Sequence, residues 1–180
     1  MNMRGMGDAS RCFSHYRMHQ MTNLSEIFKA GRVRRWHQNP DLSDTHDYND
    51  GHAGRVARII LALHENPSKR LIIAALQHDD GEFVAGDISG PVKRENQVFV
   101  GVLNTIEAKF RADLWGYDAL SFLSDDEEAW LKFADRLDAY MWAKHHRPWI
   151  MDRDGWPEAR NDLEAMAEDL GVTKQIEGVL

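Results

Sequence analysis

Residues 124–146, SDDEEAWLKFADRLDAYMWAKHH, constrain the fold more than any other part of the chain. Ser124 is followed by four acids, Asp125 to Glu128, and the stretch closes on Lys144, His145 and His146. A serine cap satisfies an orphan backbone N–H, and acids first with bases last complement the helix dipole. The pattern predicts one long helix, which other elements must pack around.

Other segments share its period. Val56, Ile59, Ile60 and Leu63 fall at i, i+3, i+4 and i+7, the spacing of one buried face of a helix over about residues 50–64. Asn66-Pro67-Ser68 supplies a turn with Ser68 as N-cap, and residues 69–78 read as a nearly all-apolar, buried helix. Phe99, Val102, Leu103, Ile106 and Phe110 mark another amphipathic helix. Pro157 starts a last one, with Leu163, Met166, Ala167 and Leu170 on one face and Gly171 as its stop. A short helix over 23–30 ends at Gly31, and residues 31–51, broken by Asn39, Pro40 and Gly51, read as a loop. No strand pattern or repeat emerges, so the expected class is all-α. Residues 1–20, methionine-rich and aperiodic, read as a dispensable extension on a single domain spanning 21–180.

The formal charge of −7 argues against a partner such as a nucleic-acid polymer or an anionic membrane. The single cysteine, Cys12, excludes an intramolecular disulfide. No apolar run approaches the roughly 20 residues that span a membrane, so the expected location is the cytoplasm.

The chemistry centres on LQHDDGE, residues 76–82. His78 and Asp79 are adjacent, and on a regular helix adjacent side chains diverge by about 100°. At a helix end the backbone can let both reach one point. Taken alone, the stretch reads as a polar helix terminus rather than a site. His52 changes that reading, because it lies four residues before Val56 and projects toward the core side. Asp135 sits among Phe133, Ala134 and Leu137, where a buried carboxylate needs a cation or strong hydrogen bonds. Pairing with Lys132 or Arg136 is the alternative for Asp135, and Asp138 is the alternative ligand.

His52, His78-Asp79 and Asp135, in that order on three helices, resemble the H…HD…D signature of the HD-domain metal-dependent phosphohydrolases. Arg35-Trp36, His78-Asp79-x-x-Glu82, Gly86-Asp87 and Pro91-x-Lys93 resemble its bacterial 5′-deoxynucleotidase branch over residues 22–147. A phage group of dATP triphosphohydrolases, from viruses that replace adenine by 2-aminoadenine, looks more similar still.

The resemblance implies a compact helical bundle holding one divalent transition metal (Zn, Co or Mn) on His52, His78, Asp79 and Asp135. It implies a deoxynucleotide substrate, with additional Mg if that substrate is a triphosphate. Glu82 is the implied accessory acid or base, and Asp87 shares that role or binds the sugar 3′-hydroxyl. Arg35 and Lys93 are implied phosphate contacts, Trp36 a stacking surface or a loop anchor, and Gln38 a base-reading residue. Arg34, Lys69 and Arg94 are further helpers to weigh, with Arg34 and Arg94 left as solvated surface charge. The expected reaction releases deoxynucleoside and triphosphate from dATP, in a host cytoplasm if the chain is phage-encoded. The alternatives are a 5′-deoxynucleotidase releasing phosphate from dNMPs, and a non-catalytic nucleotide-binding module. A homo-oligomer, dimer or hexameric ring, is the expected assembly. His37 and His46 read as loop residues outside the ligand set, and Trp115, Trp130, Trp142, Trp149 and Trp156 as core or interface fillers.

Overall fold

A computed structural model describes residues 23–153 and 155–180. The extension expected over residues 1–20 lies outside them. The described residues form eight α-helices: α1 (Leu24–Ala30), α2 (Asn49–Leu63), α3 (Lys69–Gln77), α4 (Gly90–Glu95), α5 (Gln97–Trp115), α6 (Asp125–His146), α7 (Trp156–Asp169) and α8 (Thr173–Ile176). Among these residues extended pairing is limited to one isolated bridge, Arg34 with Tyr48, so the protein is all-α. No helix among them is long and apolar enough to cross a membrane.

The long helix is α6, and its start is fixed as the sequence requires. Ser124 Oγ accepts from the Glu127 N–H at 3.3 Å, and Glu127 Oε2 accepts from the Ser124 N–H at 2.9 Å, closing a capping box. Glu127 also accepts from Ser68 Oγ and Arg70 Nη2, both at 2.5 Å, and so ties the start of α6 to the start of α3. α2, α3 and α6 pack on one another, with α7 against α6. Val56, Ile60, Leu71, Ala74, Phe133, Ala134 and Leu163 in their shared core are fully buried or within 1% of it.

The structure departs from the sequence reading around α5. Phe99, Val102 and Ile106, expected on a buried face, are 43%, 57% and 47% exposed. Leu103 is buried as expected, and Arg111 and Leu114 are buried beside it. The reason lies in the turn after α3. A 3-10 turn at Asp80–Phe83 packs against α5 on the side that carries Glu107, rotated from the expected face toward Arg111. A Cβ on Gly81 would lie 2.5 Å from Glu107 Cβ and 2.8 Å from its Cα, so the close approach requires glycine there. Leu76 of α3 is likewise half-exposed, which qualifies the expected all-round burial of that helix. Between α3 and α5 the chain forms both the 3-10 turn and α4, with Pro91 in the first turn of α4.

Candidate metal centre

The start of α2, the end of α3 and the middle of α6 meet at one point. His52, 0% exposed, places Nε2 at 3.2 Å from His78 Nε2, 3.4 Å from Asp79 Oδ2 and 3.0 Å from Asp135 Oδ1. His78 Nε2 is 3.4 Å from Asp79 Oδ1 and 3.9 Å from Asp135 Oδ1. α3 ends at Gln77, and Asp79 has φ −94° and ψ 0°. That relaxed geometry lets two adjacent side chains serve one point, as a continuing helix would not.

Both histidine tautomers are set from behind. His78 Nδ1 lies 2.9 Å from the Ala75 carbonyl, which only accepts, so Nδ1 donates and Nε2 faces the cluster. His52 Nδ1 lies 2.6 Å from Asp138 Oδ2. Arg55 clamps Asp138 with Nε to Oδ1 at 2.6 Å and Nη2 to Oδ2 at 3.1 Å, and reaches Asp47 Oδ1 at 2.8 Å. Asp138, weighed above as an alternative ligand, therefore orients His52 from its far side. Carboxylate support behind a ligating histidine is a recurrent feature of metal sites.

Metal–ligand bonds of about 2.0–2.2 Å separate neighbouring donors by about 3.0 Å at right angles and about 3.4 Å in a tetrahedron. His52, His78 and Asp79 each offer a donor atom within 4.8 Å of the others. The separations of His52 from His78, Asp79 and Asp135, and of His78 from Asp79, fall in that range, with Asp135 farther from His78 at 3.9 Å, and mixed imidazole and carboxylate donors suit a divalent transition metal. The Asp135 side chain, 39% exposed, marks the open side.

Charge is concentrated accordingly. Burial disfavours an imidazolium at His78, but Asp79 and Asp135 outweigh it and lift His78 to about 9. Desolvation likewise opposes charge on Asp79 and Asp135; the two histidines, with Arg35 beside Asp79, hold both carboxyls below their ordinary range. Arg35 donates Nη1 to Asp79 Oδ2 at 2.7 Å.

Glu82, 4% exposed, borders this cluster. Its burial, reinforced by Asp79 and Asp87, pushes its carboxyl up to about 8 against the pull of Lys93 and Arg35. Lys93 Nζ lies 3.5 Å from Glu82 Oε1. Asn49 donates Nδ2 to the Asp79 carbonyl at 3.0 Å and to Glu82 Oε2 at 3.2 Å.

The remaining predicted residues form the wall beside it. Asp87 Oδ2 accepts the Trp36 backbone N–H at 2.9 Å, which gives Asp87 a structural partner on the loop. Trp36 has φ +62°, a left-handed conformation unusual for a bulky residue. Its indole N–H meets Asp47 Oδ2 at 3.2 Å and its ring packs at 6.2 Å from Trp156, which fits the anchoring alternative. Gln38 Oε1 accepts from the Ser89 N–H at 3.2 Å and joins the same two loops.

Three phosphate candidates stand apart. Lys69 opens α3, about 14 Å along the helix axis from His78 at its other end. The Arg34 guanidinium is bonded to the Ser43 carbonyl, and Arg94 is exposed. Trp149 is 63% exposed and fills no core, whereas Trp130 is buried at 7%.

Sequence reasoning missed Asn49, Asp47, Arg55 and Arg111. The first three lie within five residues of His52, and polar residues flanking a core-facing histidine were the available signal. Arg111, buried at 6%, donates Nη1 to the His78 carbonyl at 3.2 Å and Nε to Asp118 Oδ1 at 2.8 Å. A lone arginine on an apolar helix face gives no such signal. Asp80 is buried too, accepting from Trp115 Nε1 at 2.8 Å.

No protein-family model, curated protein or solved structure matches the chain.

Proposed function

We propose that this protein is a metal-dependent phosphohydrolase of deoxynucleotides, of the HD-domain kind its motifs resemble. The observation that supports this most is the cluster of His52, His78 and Asp79, with Asp135 of a third helix 3.0 Å from His52, and Glu82, Arg35 and Lys93 alongside. These four residues would hold a divalent metal (Zn, Co or Mn), which when bound would supply Lewis acidity and lower the pKa of a water. Arg35 presents a planar guanidinium to a phosphate oxygen while its contact with Asp79 fixes its orientation. Lys93 adds a mobile point charge on the Glu82 side. Glu82, with its carboxyl raised toward neutrality, holds or releases a proton at the edge of the cluster. Trp36 and Gln38 stiffen the loop that lines the substrate side.

The first form of this reading, carried by the resemblance, is dATP cleaved to deoxyadenosine and triphosphate. A second form is dNMP cleaved to deoxynucleoside and phosphate. Arg35 and Lys93 lie in the field of Asp79, Glu82 and Asp87 and are the phosphate contacts of either form.

The test is incubation of purified protein with each dNTP and dNMP in the presence of Mn, Co or Zn, followed by chromatography of the products. Triphosphate release from dATP selects the first form, and phosphate release from dNMPs alone selects the second. A metal-replete protein inactive on every nucleotide would leave the non-catalytic binding module.

A further inference from the structure

The two oxygens of Glu82 have different neighbours. Oε2 accepts from Asn49 Nδ2 at 3.2 Å, whereas Oε1 faces Lys93 Nζ at 3.5 Å. The orientation of the Asn49 amide is not free. Its nitrogen is 3.0 Å from the Asp79 carbonyl, which has no proton to give, so the NH2 group must point that way. One hydrogen goes to that carbonyl and the other to Glu82. Asn49 is 2% exposed and sits in the first turn of α2, three residues before His52, so its side chain has no room to swing. Its Oδ1 is buried without a partner, so both of its hydrogen bonds are made by the NH2 group.

We propose that Asn49 is the positioning residue for Glu82: it occupies Oε2 as an acceptor and leaves Oε1, beside Lys93, as the oxygen that exchanges a proton with water or the leaving group. This rests on the phosphohydrolase reading. The test is a double-mutant cycle with N49S, N49D and E82Q on the best nucleotide substrate, with metal content and KM measured for each. Serine removes the amide and aspartate keeps its shape without a donor, so one folded variant suffices. Outer-shell changes at metal sites typically cost about 10- to 100-fold. The expected result is a kcat loss of that size, KM within about twofold, full metal content, and no further loss from either substitution in the E82Q background. Loss of metal instead of kcat, or additive losses with E82Q, would overturn the proposal.

A second readout does not depend on turnover. In 15N-labelled protein, E82A should move one of the two Asn49 side-chain amide protons and leave the other, bonded to Asp79, in place. Two unmoved protons would overturn the geometry. A moved proton in a protein inactive on every nucleotide would overturn the catalytic role and the phosphohydrolase reading together, while the hydrogen bond itself stood.

Discussion

If the cluster holds a metal, a proton is its main competitor. His78 lies at about 9 against an ordinary 6.5 because Asp79 and Asp135 overcome the cost of burial. In the metal-free protein at pH 7 the Nε2 position therefore carries hydrogen, and a metal must displace it. Apparent metal affinity should rise about tenfold per pH unit from pH 7 toward 9 and then level off. The same shift bears on stability. A raised folded-state value contributes fully below 6.5 and is lost as pH climbs through about 9. At roughly 1.4 kcal/mol per unit, the metal-free protein should lose about 3 kcal/mol across that window. Glu82, raised to about 8 by burial, pushes in the same direction from its ordinary 4.5 upward, so the measurement belongs in an E82Q background. Urea unfolding of chelator-treated protein at half-unit pH steps gives the stability arm. Calorimetric metal titration at pH 7 in two buffers of different ionisation enthalpy counts the protons released. Affinity and unfolding midpoint both flat between pH 6.5 and 9, with no proton released, would refute the reasoning.

Four further outcomes are expected. D138N leaves His52 without its anionic support and should weaken metal binding about 10- to 100-fold, read by competition with a chromogenic chelator. D135A should abolish metal binding and activity while the far-ultraviolet helical signal stays largely intact, and a fully active variant would refute the ligand set. G81A forces a methyl group into Glu107 and should destabilise the protein by about 1–3 kcal/mol in urea unfolding. S124A removes one half of the α6 capping box and should cost about 1 kcal/mol by the same assay.

The helices and their caps were legible because they rest on local rules. Ser68 and Ser124 cap where a hydroxyl must, and the face of Val56 and Ile60 is buried where the period puts it. The convergence of His52, His78, Asp79 and Asp135 was legible through the resemblance of their order to the H…HD…D signature, with His52 and Asp135 each a polar residue on an apolar helix face. The surroundings were not. Which side of α5 is buried depends on a turn at Gly81, and both sides of that helix carry apolar residues. The roles of Asn49, Asp138 and Arg111 depend on contacts spanning 33, 86 and 33 residues, which no periodicity encodes. Trp36 illustrates the limit further, since nothing in Arg-Trp-His announces a left-handed tryptophan.

The bond network of Glu127 has a mechanical meaning. α3 and α6 run in the same direction and are pinned together twice, once where Glu127 grips Ser68 and Arg70, and again where Asp135 meets His78. The pins are eight residues apart along α6, about 12 Å. Two pins on a baseline of that length remove the freedom of one rod to swivel on the other. Slack at the Glu127 end is transmitted along the rods to the other end, where a tilt of about 5° displaces a donor atom by about 1 Å, enough to spoil a coordination distance. A buried carboxylate eight residues along α6 from the cluster thus sets the alignment tolerance of the whole centre.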